Sequence, residues 1–316
     1  MSVLEILLQL VLLVLGFVLL IKGADWFVEG ASGVADRLGI PQLVIGLTIV
    51  AMGTSLPETA VSLSAAFKGS ADITIGNVVG SNIMNVLVIL GITSVLCVIP
   101  VQTSTVKYEI PFTILITALL AFVGLSDNTV NRIEGAILWI CFIAYLVYLF
   151  VMTKKGAIQG EEAEGEEKKR PVWLLPIMIV VGVAMIVFGS NLSVDAATVI
   201  AKGFGVSERF IGLTIVALGT SLPELVTSAT AALKKKSDIA VGNIVGSNIF
   251  NILFVVGTTA LITPVTYSAN FFIDSIVCIA TMVLLWVCVL PKKKLTRIGG
   301  IILLCAYAGY FVYLIN

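Results

Sequence analysis

Residues 46–85 read GLTIVAMGTSLPETAVSLSAAFKGSADITIGNVVGSNIMN, and residues 212–251 read GLTIVALGTSLPELVTSATAALKKKSDIAVGNIVGSNIFN. Aligned without a gap, roughly two-thirds of the positions are identical, and self-similarity at a fixed spacing is a property of the whole architecture. The same offset continues upstream, where Gly16 falls on Gly182, Gly23 on Gly189 and Glu29 on Asp195. The chain is two copies of one unit. Each copy carries one carboxylate, Glu58 or Glu224, inside an otherwise apolar stretch, and these are the groups the protein is built to hold.

Composition says which solvent that stretch meets. Of 316 residues, 59% are hydrophobic and 12% charged, with a mean hydropathy of +1.10. A soluble domain carries about 25% charged residues, so this chain reads as an all-α polytopic membrane protein whose main partner is the lipid bilayer. Net charge is zero and Lys and Arg gather at the ends of apolar runs, which leaves no basic face for nucleic acid. The five cysteines (Cys97, Cys141, Cys278, Cys288, Cys305) lie in apolar runs without CxxC spacing and read as small buried apolar residues. Histidine is absent, which excludes imidazole metal sites and histidine proton relays. No nucleophile–base pair or cofactor fingerprint appears, so the reading is a non-enzyme without a cofactor. No obligatory protein partner is implied. The N-terminal MSVLEILLQL lacks a basic n-region and an A-x-A site and reads as a retained helix.

A membrane helix needs about 20 mostly apolar residues. Ten candidates follow, at approximately 3–22 (extending toward 33), 42–67, 73–99, 109–125, 132–152, 173–200, 208–233, 239–262, 270–290 and 296–315. The polar segment KKGAIQGEEAEGEEKKR, residues 154–170, cannot bury itself and reads as a linker. The expected organisation is a first five-helix repeat at 1–153, a cytoplasmic linker at 154–171 and a second repeat at 172–316. With the N-terminus outside, the inner loops carry Arg37, Lys107, the linker's five basic residues, Lys234 to Lys236, Lys292 to Lys294 and Arg297. The outer side keeps only Lys68, Arg132, Lys202 and Arg209, a bias of 14 to 4 that places both termini outside the cell membrane. Five spans per half make the second copy enter from the opposite side. Inverted repeats are the usual plan of secondary transporters, with the substrate site at the midplane between the halves.

The chemistry sits in two motifs. In GTSLPE, Thr54 and Glu58 are four apart and share a helix face that Ser62 extends, and Thr220, Glu224 and Ser228 repeat the pattern. Pro57 and Pro223 remove a backbone donor and kink or break the helix, freeing carbonyls near Ala51, Gly53, Ala217 and Gly219. Such backbone is tolerated at membrane depth where a cavity, water or an ion satisfies it. Carboxylate, carbonyl and hydroxyl together make the all-oxygen environment that a hard cation requires. In GNxxGSNxxN, Asn77, Ser81 and Asn85 form one polar stripe, as do Asn243, Ser247 and Asn251. Asn77 and Asn243 read as caps or helix-to-helix glue, while Gly76, Gly80, Gly242 and Gly246 allow helix backbones to approach. A charge near the midplane costs at least ~2.5–3.5 kcal/mol, and neither motif contains a cation, so Glu58 and Glu224 read as functional. Asp25, Glu29 and Asp195 read as interfacial, Asp72 and Asp238 as N-caps of the third and eighth helices, and Asp127, Glu134 and Asp274 as helix-end groups.

With the paired GTSLPE and GNxxGSNxxN elements, the sequence resembles the calcium/cation antiporter superfamily, most closely its prokaryotic sodium/calcium exchanger branch. The resemblance spans nearly the whole chain. It implies a core of helices 2, 3, 7 and 8, across which helices 1 and 6 slide to alternate access. It also implies Glu58 and Glu224 as central anionic ligands, with oxygens from Thr54, Ser55, Thr220 and Ser221. Ser81 and Ser247 would serve flanking sodium sites, Ala51 and Ala217 would offer carbonyls, and Asn85 and Asn251 would complete the centre. In some relatives one of these last two is Asp; here both are Asn, leaving two carboxylates and not three. The proton-coupled branch carries an acid where this chain has Gly80 and Gly246.

The function expected is a secondary antiporter exchanging Ca²⁺ for Na⁺, both competing for the same carboxylates. A proton-coupled Ca²⁺/cation antiporter would use the same groups, and is separated by whether a pH gradient alone drives calcium flux. A cation channel is disfavoured, because an inverted duplication within one chain suits alternating access better than a symmetric pore.

Overall fold

The computed structural model describes residues 3–71, 73–156, 170–205, 215, 217–268 and 270–315. Among them, eight helices are long and apolar enough to cross a membrane. They are α1 (Val3–Leu38), α3 (Ile73–Leu96), α4 (Thr105–Asp127), α5 (Arg132–Lys154), α6 (Leu174–Gly203), α8 (Ser237–Ile262), α9 (Asn270–Val289) and α10 (Arg297–Ile315). A ninth span, α2, is the pair Gln42–Thr54 and Leu56–Phe67, bent by 49°. Its repeat, α7, is described as Ala217–Thr220 and Leu222–Leu233. The protein is thus all-helical and multi-pass, ten spans in two inverted five-helix repeats. Most of the linker, Asp72, Arg209 and the start of the seventh span lie outside the described residues.

The break in α2 follows from sequence. Ser55 leaves the helical region (φ −84°, ψ 14°), and Pro57 sits at the start of the next piece, where a missing N–H costs least. Ser221 (φ −92°, ψ 1°) and Pro223 repeat this in α7. Wider π-type turns run at Gly46–Val50, Asn85–Leu90, Thr105–Glu109 and Asn251–Val256. Such turns concentrate at functional sites, and two of them begin at the paired residues Asn85 and Asn251.

Burial ranks the spans. The most apolar window of α8 is 94% buried and that of α3 is 78%, against 11% for α1 and 17% for α10. Hence α3 and α8 form the centre, and the most apolar part of α1 lies at the periphery while Ala24, Phe27, Val28 and Ala31 further along it are buried. Two short antiparallel pairs cross-link the halves: β1 (Ile99–Pro100) with β4 (Lys294–Leu295), and β2 (Thr129–Val130) with β3 (Val265–Thr266). Each joins the loop after one repeat's third helix to the loop before the other repeat's fifth.

Several details differ from the sequence expectations. Helix α1 runs to Leu38, beyond the expected extension toward 33, and along its C-terminal part the half-exposed Asp25 and Glu29 pair with Lys234 (2.5 Å) and Arg170 (2.7 Å). Asp238 is no cap: α8 already starts at Ser237, and the Asp238 carboxylate is buried, accepting from Gln102 Nε2 at 2.9 Å. Cys278 is buried but Cys305 is exposed on a lipid-facing helix. Glycine spacing works unevenly. A Cβ on Gly246 would lie 2.7 Å from Leu47 O and one on Gly242 2.9 Å from Leu43 O, so these two seat α8 on the α2 backbone. Gly76 instead faces the Phe271 ring, and Gly80 meets no atom among the described residues.

Helices α1 and α6 cross through glycines from both copies. Gly23 lies against Gly182 and Gly16 against Gly189, so the order reverses, as antiparallel partners require. A Cβ on Gly182 would lie 2.8 Å from Gly23 O and 2.8 Å from Phe27 N. Gly182→Ala is therefore expected to lower the thermal midpoint in detergent, by overpacking worth about 1–3 kcal/mol. Gly309→Ala, where no described atom lies within 4 Å, should leave the midpoint unchanged or raise it. Equal midpoints for the two variants would show that the seam yields.

Candidate cation site

Glu58 and Glu224 stand in the first turns of the second pieces of α2 and α7, just past each break. Both are completely buried. They lie close enough to repel each other, and among the described residues neither has an ion-pair partner. One oxygen of each accepts a serine hydroxyl. Ser81 Oγ donates to Glu58 Oε1 at 3.2 Å within the first half, and Ser55 Oγ donates to Glu224 Oε1 at 2.9 Å across the halves. The Thr54 and Ser247 hydroxyls also lie beside the Glu224 carboxylate. Ser81 and Ser221 face each other, their hydroxyls 3.4 Å apart.

The remaining expected groups sort into two kinds. Ser247 Oγ donates to Ala51 O at 3.4 Å, which places that carbonyl at the interface. Thr54 Oγ1 reaches Asn243 Oδ1 at 2.9 Å. Thr220 is half-buried at the end of the first piece of α7. Ala217 begins that piece, and its side chain lies outside the described set. Asn77 and Asn243 clasp each repeat to itself: Asn77 Nδ2 donates to Ser62 Oγ (3.0 Å) and Glu58 O (3.1 Å), and Asn243 Nδ2 to Ser228 Oγ (2.9 Å). Ser62 and Ser228, on the Glu stripes, are thus consumed by the clasp. On the α6 side, Ser190 Oγ donates at 2.7 Å to Gly219 O, the carbonyl whose helical donor Pro223 removes.

Two residues escaped the sequence reading. Asn82 and Asn248 are buried where α3 crosses α8, and each donates to the other's backbone carbonyl at 3.2 Å. Asn85 Nδ2 then donates to Asn248 Oδ1 (3.0 Å) and Asn251 Nδ2 to Asn82 Oδ1 (3.1 Å). With their amides tied back, Asn85 and Asn251 keep an Oδ1 that is buried without a partner. The available signal was repetition, since a Ser-Asn pair recurs in both copies, but Asn82 lies off the stripe through Ser81.

Of the carboxylates and asparagines at this interface, four buried oxygens therefore stay without a partner: Glu58 Oε2, Glu224 Oε2, Asn85 Oδ1 and Asn251 Oδ1. Among the described residues no three His, Cys, Asp or Glu side chains cluster. The donor set is two carboxylates with neutral amide, hydroxyl and carbonyl oxygens, which suits Na⁺ and Ca²⁺ and not a soft metal.

The family described as sodium/calcium exchanger protein matches residues 8–151 and 174–316. The chain is 44% identical over 309 residues to the putative antiporter CaxA of Alkalimonas amylolytica, covering 95% of this chain and 96% of that one. It is 32% identical to the sodium/calcium exchanger MaX1 of Methanosarcina acetivorans, covering 96% and 97%. A solved structure of the sodium-calcium exchanger NCX_Mj, soaked with zero Na⁺ and Ca²⁺, superposes with a TM-score of 0.83 at 31% identity, over 98% of this chain and 99% of that one. Matched in both halves and along nearly its whole length, the chain belongs to the sodium/calcium exchanger family, whose members are membrane antiporters and not enzymes.

Proposed function

We propose that this protein exchanges Ca²⁺ for Na⁺ by alternating access, both ions competing for a midplane site on Glu58 and Glu224. The observation that carries this reading is the set of four buried, unpartnered oxygens from two carboxylates and two amides. An unsatisfied buried polar group costs about 1–3 kcal/mol, and more when charged, so a cation has much to relieve there. Thr54, Ser55, Thr220, Ser221, Ser81 and Ser247 would contribute hydroxyls, and Ala51 and Ala217 carbonyls.

Charge sets the exchange logic. Two carboxylates neutralise one Ca²⁺ or two Na⁺, and ions that need the same oxygens cannot load together. Ca²⁺ takes six to eight oxygens in flexible geometry, which a ring of serines, threonines and asparagines on broken helices can supply. The loaded site lets α1 and α6 move as a packed pair across the core, while the empty site keeps two like charges and resists occlusion. The two units are 1–153 and 172–316, supported by the two separately matched stretches. The excess of Lys and Arg places the linker 154–171 in the cytoplasm and both termini outside.

Calcium-45 uptake into sodium-loaded proteoliposomes, diluted into sodium-free buffer, tests the coupling. Uptake is expected with the sodium gradient alone and not with a pH gradient alone; the reverse result would transfer the protein to proton coupling. Glu58→Gln and Glu224→Gln should each cut uptake to background while the detergent-solubilised protein keeps its elution profile and helix content. Full transport in either variant would remove the central claim. Asn251→Asp adds a third acid, so the pH profile or the ion preference of calcium flux should shift from that of the parent. An unchanged pH profile and ion preference would make Asn251 a purely structural residue.

A further inference from the structure

A second buried carboxylate lies apart from the central site. Glu109 sits in the wide turn that opens α4 and is only 1% exposed. Tyr148 of α5 donates its hydroxyl to Glu109 Oε1 at 2.7 Å, which fixes the carboxylate. Its Oε2 has no partner. The Tyr145 hydroxyl, also buried, has none either. Both residues line a cavity of about 530 Å³ between α4 and α5, walled by Tyr108, Phe112, Leu115 and Tyr148, with Lys107 at one end. Behind Glu109, the buried Ser104 and Thr105 hydroxyls lie beside its carboxylate.

The second half shows that the fold can satisfy such a group by itself. Asp274, Tyr310 and Tyr313 stand there much as Glu109, Tyr145 and Tyr148 do in the first half. The Tyr310–Tyr313 rings stack at 6.2 Å and 26°, like Tyr145–Tyr148 at 6.4 Å and 23°. In that half the inner tyrosine, Tyr310, donates straight to Asp274 at 2.9 Å. In the first half the outer tyrosine, Tyr148, takes the acid, so the Tyr145 hydroxyl and one carboxylate oxygen are left buried without a bonded partner, on residues that line the cavity.

Size, wall and charge narrow the ligand. The cavity has the volume of a small-molecule site, far more than one ion needs, and a single carboxylate without a neighbouring acid makes a poor divalent site. Leu115 is 65% exposed and Tyr108 42%, so the wall opens on the lipid-facing surface. Aromatic rings beside a carboxylate favour an organic cation. The open Glu109 Oε2 and the Tyr145 oxygen call for N–H donors, which a primary ammonium has and a quaternary one lacks. Lys107 supplies the complementary charge for a phosphate a few bonds away. We propose that this cavity binds a phospholipid with a primary-amine headgroup, its ammonium on Glu109 and Tyr145, its phosphate toward Lys107 and its acyl stem along Leu115.

Native mass spectrometry of the full-length protein in detergent tests this without any transport measurement. Ethanolamine phospholipid, titrated against choline phospholipid with the same acyl chains, should be retained selectively. Glu109→Gln should weaken that retention roughly tenfold or more, the worth of a charge-assisted hydrogen bond. Tyr145→Phe leaves the Glu109–Tyr148 bond intact and should weaken it by a smaller factor, which keeps the test valid if Glu109→Gln folds poorly. Equal retention of the two lipids would overturn the proposal, as would unchanged retention in Tyr145→Phe together with a folded Glu109→Gln. Methylammonium displacing the lipid at comparable concentration would also overturn it, by making the cavity a small-cation site.

Discussion

Two carboxylates buried on opposite sides of a repeat interface, close enough to repel each other, constrain the rest of this bundle. Moving one such ion out of water costs several kcal/mol even after a protein relaxes around it. The chain answers with hydroxyls, and only partly. Ser81 and Ser55 each take one carboxylate oxygen, and the second oxygen of each acid is left open. A lysine in either position would have quenched the site. The motifs contain none, and the nearest ion pairs, Asp25 with Lys234 and Glu29 with Arg170, sit at the half-exposed end of α1.

The interface that holds these acids is made by copying. Thr54 meets Asn243, Ser55 meets Glu224, Ser81 meets Ser221, and Asn82 meets Asn248, each contact running from one copy to the other. The asparagine knot is reciprocal: each of Asn82 and Asn248 donates to the other's carbonyl, and each accepts the amide of Asn251 or Asn85. A buried polar network rigidifies when its members are satisfied. Here the amide donors are satisfied and two acceptors are not, so rigidity and two unpartnered oxygens come from the same four side chains. The glycine crossing of α1 and α6 is the opposite kind of contact, backbone on backbone. It keeps that pair together, while Leu20, Ala24, Phe27 and Val28 of α1 pack in one buried cluster with Ile45 and Val50 of α2 and Ala231 and Ala232 of α7.

Much of this was legible in the chain because the duplication doubles every signal. One Glu in an apolar run is ambiguous, whereas two in identical settings, each beside a Pro, single out Glu58 and Glu224. The ten spans follow from hydropathy, and the break in α2 from Pro57. What periodicity cannot give is which copy a side chain reaches. Ser55 and Glu224 are adjacent only because the repeats are inverted and interlocked, and Asn82 is adjacent to Asn251 for the same reason. Asp238 has the sequence look of a cap, yet it is drawn inward by Gln102 from the other half. Glu109 did not stand out, since it lies at the edge of an apolar run and its meaning depends on Tyr145 and Tyr148, a helix away.

On the proposed reading, the neutral residues at 85 and 251 carry as much weight as the acids. A site charged −2 is cancelled by one Ca²⁺ or by two Na⁺, and either load leaves a neutral unit to pass through the low-dielectric core. A third carboxylate would leave each of those loads one negative charge over, to be met by a further sodium or by a proton. Asn at both positions keeps the oxygen and removes the charge, and its amide N–H₂ group is what ties α3 to α8 through Asn82 and Asn248. An aspartate there could not donate those two bonds while ionised. The same substitution would therefore change charge balance and helix contact together, and the knot couples ion choice to the packing of the core across which α1 and α6 move.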